Sequence, residues 1–140
     1  MLRSYSPLFD SIEVFSLVKE IFVNSNLIQF ETLNDFLSYK GWVISNNTKI
    51  LAVLLFTETN KIENKYYIDF ICSKVPGYGS YLLEHFISNK NIYLHVEKFL
   101  NTDRLITWYE KYGFSIIDDI VEPLEDNMMK YVITMSNYSV

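Results

Sequence analysis

With 140 residues, 49% of them apolar, the chain can close one hydrophobic core but not two, and it reads as a single domain spanning residues 1–140. A formal net charge of −5 gives no basis for broad attraction to nucleic acid or to an anionic membrane, and it suits a small cationic substrate better. The longest apolar run, residues 50–56, is strand-length and far short of the roughly 20 residues that cross a bilayer.

A weak strand signal at residues 2–6 comes first. Asp10 and Glu13 then form a capping pattern ahead of Ile12, Phe15, Val18, Ile21 and Phe22 at helical spacing, which predicts an amphipathic helix ending near Asn24. A second helix is expected over residues 32–39, capped by Thr32, stopped by Gly41 and carrying Leu33, Phe36 and Leu37 on one side. Residues 42–45 and 50–57 read as a hairpin across Asn46, Asn47, Thr48 and Lys49. Residues 65–72, rich in aromatic and β-branched side chains, read as a strand buried on both faces.

That strand runs into Lys74, Val75, Pro76, Gly77, Tyr78 and Gly79. A helix over residues 79–89 follows, with Leu82, Leu83, Phe86 and Ile87 inside, and then a strand at 92–96. This βαβ unit makes the two strands parallel neighbours. A last helix at 102–112 closes at Gly113, and strands at 114–121 and 128–135 finish the chain. The order predicts a mixed sheet with helices on both faces, a three-layer α-β-α sandwich of the α/β class.

A short strand-to-helix connection leaves amides at the positive end of a helix, where phosphate is attracted. Gly77 and Gly79 allow backbone angles and close approaches that other residues forbid, and Lys74 adds a charge. By itself the loop reads equally well as a tight turn. It lacks the Gly-Lys-Ser/Thr end of a nucleotide P-loop and the third glycine of a dinucleotide fingerprint. Cys72 is the only cysteine, so no intramolecular disulfide and no cysteine-based metal site is expected, and a reducing, cytoplasmic setting follows.

The run from Lys74 to Gly79 followed by Ser80, Tyr81, Leu82 and Leu83 resembles the pyrophosphate loop of the GNAT superfamily, Gln/Arg-x-x-Gly-x-Gly/Ala with a helix beginning x-x-Leu-Leu. A second motif of that family, Tyr-Glu-Lys-x-Gly-Phe, has its counterpart in Tyr109, Glu110, Lys111, Tyr112, Gly113 and Phe114. The resemblance implies a centrally splayed sheet, acetyl-CoA as cosubstrate, no metal, and transfer of an acetyl group to a primary amine. It also admits a homodimer, and a catalytically degenerate domain of the same fold is the alternative.

By the same resemblance, the cofactor would be held by the backbone of Phe70, Ile71 and Cys72, by Lys74, Val75, Pro76, Gly77, Tyr78, Gly79 and Ser80, and by Asn101 or else Thr102 near the start of the last helix. Three departures stand out: Lys74 in place of Gln or Arg, Leu105 in place of Ala, and a longer connection before Tyr109.

Amine attack on a thioester needs a neutral nitrogen, a polarised carbonyl and a protonated leaving sulfur. Tyr109 matches the family's general acid. Asp69, a carboxylate inside an apolar strand, is the first candidate for the base because burial there would raise its pKa, though it reads equally well as a residue on an exposed part of the sheet; His95 and Glu97, or a water chain, are the other candidates. Cys72 reads as a small core residue and not as a nucleophile. Asp118, Asp119, Glu122, Glu125 and Asp126 read either as a solvated loop or as the border of an acceptor pocket.

Overall fold

A computed structural model of the chain describes residues 1–22, 31–97, 102–123 and 129–138. Its elements run β1 (Leu2–Ser4), α1 (Pro7–Ile21), α2 (Leu33–Phe36), β2 (Lys40–Ser45), β3 (Ile50–Asn60), β4 (Lys65–Ser73), α3 (Tyr78–Ile87), β5 (Asn91–Glu97), α4 (Thr102–Glu110), β6 (Ser115–Pro123) and β7 (Met129–Ser136). The strands form one mixed sheet in the order β1-β2-β3-β4-β5-β7-β6. The β4–β5 ladder is parallel, as a βαβ unit requires, while β1–β2, β2–β3, β5–β7 and β6–β7 are antiparallel.

Two compact units make up the chain. The first comprises Met1–Thr57 with Ile68–Ser88, and the second Glu58–Tyr67 with Asn89–Val140. In the first unit the sheet separates two helical layers. Val43, Val53, Leu55 and Cys72 pack with Val14, Leu17 and Val18 of α1 and with Phe36 of α2. On the opposite face Trp42 meets His85 of α3 edge-on at 4.6 Å, and Phe56 meets Phe86 at 4.6 Å. The two sets alternate along β2 and β3, as the two-residue period of a strand demands.

That alternation breaks near the start of β3. Ile44 pairs with Ala52, but Ser45 pairs with Ile50, so Leu51 is an extra residue in β3. The bulge returns Ile50 to the face of Val53 and Leu55. Gly41 in β2 is forced by proximity: a Cβ there would lie 2.2 Å from the Leu54 carbonyl oxygen.

Two helices depart from expectation. Helix α1 starts at Pro7, whose ring presets the helical φ, with Ser6 as N-cap. Asp10 is not its N-cap residue but lies inside the first turn. Its carboxylate accepts the Ser6 N–H at 2.8 Å and a two-pronged contact from Arg3 at 2.7 and 3.0 Å. Burial alone would raise the Asp10 pKa, but the Arg3 and Ser6 hydrogen bonds and the Arg3 charge together hold it below the usual range. The buried stripe is therefore Asp10, Ser11, Val14, Leu17 and Val18, and Ile12, expected inside, is 72% exposed.

Helix α2 is a single turn and not the expected two. Thr32 and Asp35 cap it reciprocally. Only Phe36 is buried, while Leu33 and Leu37 face solvent. The strand β4 is also less enclosed than expected, since only Ile68 and Cys72 along it are fully buried.

The second unit is built on β5, β7 and β6, with Ile92, Leu94, Val96, Tyr109, Phe114, Ile133 and Met135 buried. Asn137 fastens the start of β5: its side chain accepts the Ile92 N–H at 2.7 Å and donates to the Lys90 carbonyl at 3.1 Å. The turns before β4 and β5 each use an asparagine in the left-handed region, Asn64 at φ 56° and Asn89 at φ 58°. The Asn64 side chain donates to the Asn89 carbonyl.

Candidate active site

The loop after β4 is a strand-to-helix turn whose amides are mostly committed. Lys74 N–H donates at 2.9 Å to the Leu51 carbonyl of the neighbouring strand β3. Val75 N–H donates at 2.9 Å to Ser73 Oγ, whose hydroxyl donates at 2.7 Å to the Val75 carbonyl. Pro76 has no N–H. Tyr78 N–H turns back to the Val75 carbonyl at 3.3 Å, and Tyr81 N–H reaches the Gly77 carbonyl at 3.1 Å.

Gly77 and Gly79 therefore carry the loop's remaining amides, and among the described residues neither amide meets an acceptor. Gly77 is the N-cap of α3 at φ +89°, with nothing within 4 Å of where a Cβ would stand. An L residue with a side chain is strained in that conformation. Gly77 is exposed, and Tyr78, Gly79 and Ser80 are half-buried, so the helix start is open to a ligand. The expectation that the whole loop offers amides is thus narrowed to its glycine end. The Lys74 ammonium lies 3.0 Å from Glu20 of α1.

Upstream on β4, Phe70 stacks on Phe36 with ring centroids 5.5 Å apart. Cys72 is buried, and burial pushes its thiol up to about 12, which removes it as a nucleophile at neutral pH. Asp69 accepts a hydrogen bond from Thr57 at 2.7 Å. Burial raises its pKa to about 6, against the opposing effect of the Thr57 hydroxyl. A carboxyl poised there is ionised at neutral pH yet basic enough to accept a proton, as a general base must be.

Asp69 has neighbours that the sequence does not single out. Burial, then Asp35, then the more distant charge of Asp69, raise Glu31 to about 7, while Tyr39 opposes the rise. The Tyr39 hydroxyl donates to Glu31 at 3.3 Å, and burial followed by the Glu31 and Asp69 charges pushes its own pKa up. Around them Phe22, Phe36, Tyr39 and Phe70 form a chain of ring contacts. In their ionised forms two such carboxylates beside aromatic rings suit a protonated amine, whose charge would favour those forms. In sequence Glu31 is one acid before a helix cap, without spacing or pattern to mark it.

In the second unit, the run from Tyr109 to Phe114 proves to be a helix stop. Gly113, at φ +90°, donates to the Glu110 carbonyl at 3.1 Å, and Phe114 N–H returns to the Tyr109 carbonyl at 3.3 Å. Phe114 packs edge-on against Tyr109 at 5.6 Å. These are the two backbone bonds and the apolar contact of a Schellman cap. The Tyr109 ring is thereby explained. Its hydroxyl is not: it is buried, burial raises its pKa, and it meets no acceptor among the described residues. Held neutral, it can donate a hydrogen bond to a forming thiolate, but it is a weaker acid than a free tyrosine.

His95 Nδ1 lies 3.3 Å from the Tyr67 hydroxyl, with Tyr93 beside both. Thr102 is buried at the start of α4. Asn101, Glu125 and Asp126 lie outside the described residues, as do the side chains of Glu97, Asp118, Asp119 and Glu122. Among the described residues no group of three or more His, Cys, Asp or Glu side chains could hold a metal ion.

No protein-family model matches the chain, and no curated protein matches it in sequence. Solved structures do match in three dimensions. The acetyltransferase of GNAT family from Streptococcus pneumoniae aligns at TM-score 0.71 and 17% identity over 97% of each chain. A spermidine N-acetyltransferase SpeG chimera from Vibrio cholerae and hSSAT aligns at 0.71 and 19% identity, over 97% of this chain and 93% of that one. The protein yncA from Salmonella typhimurium, solved with its cofactor acetyl-CoA, aligns at 0.73 and 11% identity, over 97% and 91%. The mixed seven-stranded sheet, the glycine turn between a parallel strand and its helix, and the capped α4 together give this chain the fold of the GNAT acyltransferases.

Proposed function

We propose that the protein is an N-acetyltransferase that moves an acetyl group from acetyl-CoA to a primary amine by direct attack. The observation that carries this reading is the turn at Gly77. Two amides without an acceptor among the described residues, at the positive end of a ten-residue helix, suit the diphosphate of a CoA ester. The structural neighbour that holds acetyl-CoA and the one that acts on spermidine support the same cosubstrate and a cationic acceptor.

The reaction requires the acceptor ammonium to lose a proton, and Asp69 is the residue we assign to take it. The neutral nitrogen then forms the new C–N bond at the thioester carbonyl carbon, the C–S bond breaks, the nitrogen sheds a second proton to become the amide, and the departing thiolate gains a proton. Backbone N–H groups of Phe70, Ile71 and Cys72 are assigned to the pantetheine arm and the thioester oxygen. Tyr109 is assigned to the leaving sulfur, on the strength of the motif and of a hydroxyl that helix capping leaves unexplained. Glu31 and Tyr39 join Asp69 in selecting a positively charged acceptor, such as a polyamine or a lysine side chain.

Isothermal titration with acetyl-CoA, paired with a thiol-release assay over polyamines, aminoglycosides and lysine peptides, tests this reading. Saturable CoA binding and release that depends on an amine are expected. Absence of CoA binding would end it.

A further inference from the structure

Resting on that reading, the structure assigns Glu20 the role of an internal competitor for the diphosphate site. Glu20 lies in the last turn of α1, where the helix carbonyls already carry partial negative charge and an acid is unfavourable. Its carboxylate instead meets the Lys74 ammonium at 3.0 Å, with 63% of the Glu20 side chain and 42% of the Lys74 side chain exposed. The backbone of Lys74 is pinned by the Leu51 carbonyl, so only its flexible side chain can change partner. Three residues on, Gly77 begins the pair of amides that meet no acceptor among the described residues.

An incoming diphosphate and Glu20 thus present two anions to one lysine. With the ligand absent Lys74 neutralises Glu20; with the ligand bound it turns to the phosphates and leaves Glu20 to water. CoA affinity is set by the difference between these two pairings and not by the lysine alone. Lysine suits such an exchange, because its charge is a point on a rotatable stem, whereas a planar guanidinium is fixed in a fork.

The test is a double-mutant cycle read by titration of CoA, and of inorganic pyrophosphate as the minimal probe, into wild type, Glu20→Gln, Lys74→Ala and the double variant. At low salt Glu20→Gln should tighten both ligands by about three- to five-fold, the range of an exposed ion pair, and the gain should fade near 1 M salt as screening shortens. In the Lys74→Ala background the same substitution should do nothing. An equal gain in that background would show that Glu20 acts through space and not through Lys74, and would overturn the inference. Equal affinity of Glu20→Gln and wild type would also overturn it while leaving CoA binding intact; loss of CoA binding in both proteins would remove the acetyltransferase reading as well.

Discussion

Replacing Asp69 with Asn separates the burial of this carboxylate from its chemistry. In the fold its pKa rises from 3.8 to about 6, and at 1.36 kcal/mol per pH unit that is about 3 kcal/mol. Partial solvent access brings the working figure to ~2 kcal/mol. The sign follows from linkage: a carboxyl whose folded pKa is raised keeps its proton longer in the folded state, so its contribution is fully present below about pH 4 and is lost as pH climbs through 6.

The amide introduced by Asp69→Asn carries no charge to bury and retains an acceptor for Thr57. In urea melts the variant should match wild type near pH 4 and exceed it by ~2 kcal/mol at pH 8. Glu31, raised to about 7, titrates in both proteins, and so drops largely out of the difference. Turnover should move the opposite way, falling about 10²-fold or more with loss of the acidic limb near pH 6. A stability difference that does not vary with pH would refute the burial argument, and an unchanged acidic limb would remove Asp69 as base.

Tyr109→Phe keeps the ring that Phe114 caps and removes a buried hydroxyl without an acceptor among the described residues. It should therefore stabilise the fold by about 1 kcal/mol in thermal melts while lowering kcat with little change in CoA affinity. Gly77→Ala and Gly113→Ala form a matched pair, since both sit near φ +90° with open space around the new Cβ. Each should cost about 1–2 kcal/mol, but only Gly77→Ala should weaken CoA binding by titration. Gly41→Ala drives a Cβ to 2.2 Å from the Leu54 carbonyl oxygen and should lower stability by about 3 kcal/mol, read as a fall of roughly 10 °C in Tm.

The order and type of the elements were legible because the chain punctuates them. Gly77 and Gly113 mark places where the backbone adopts positive φ, and the period of the apolar residues does the rest; Gly41, expected to stop the second helix, instead lies inside β2, where a Cβ would meet the Leu54 carbonyl. The face of α1 was not legible for a definite reason. Asp10 and Glu13 imitate a capping pattern, yet Pro7 sets the helix start, and each acid serves elsewhere. Asp10 pairs with Arg3 and Ser6, while Glu13 accepts the Ile50 N–H at 2.6 Å. The buried face follows Asp10, Val14, Leu17 and Val18, and Ile12 is left outside. Pattern alone cannot tell an acid that caps a helix from one that holds a neighbouring strand.

At the candidate site the limit was different. The glycine loop and Asp69 carry local signals, but the division of labour among the loop's amides depends on Leu51, which sits unmarked in the apolar run of β3. A bulge there changes no residue type and breaks no alternation that could be seen, because apolar side chains occupy both faces. The Leu51 carbonyl takes the Lys74 N–H, Ser73 Oγ and the Val75 carbonyl take two more, and the loop amides left without an acceptor among the described residues are those of the glycines. Glu31 and Tyr39 were hidden for a related reason: their character comes from mutual burial near Asp69, far along the chain from both, and not from spacing. Tyr109 shows the converse. Its motif was readable, yet most of that motif is the stop signal of a helix, so the resemblance alone could not say which atom carries chemistry. Geometry isolates the hydroxyl, and the case for catalysis at this residue therefore rests on one oxygen and not on the six-residue run that drew attention to it.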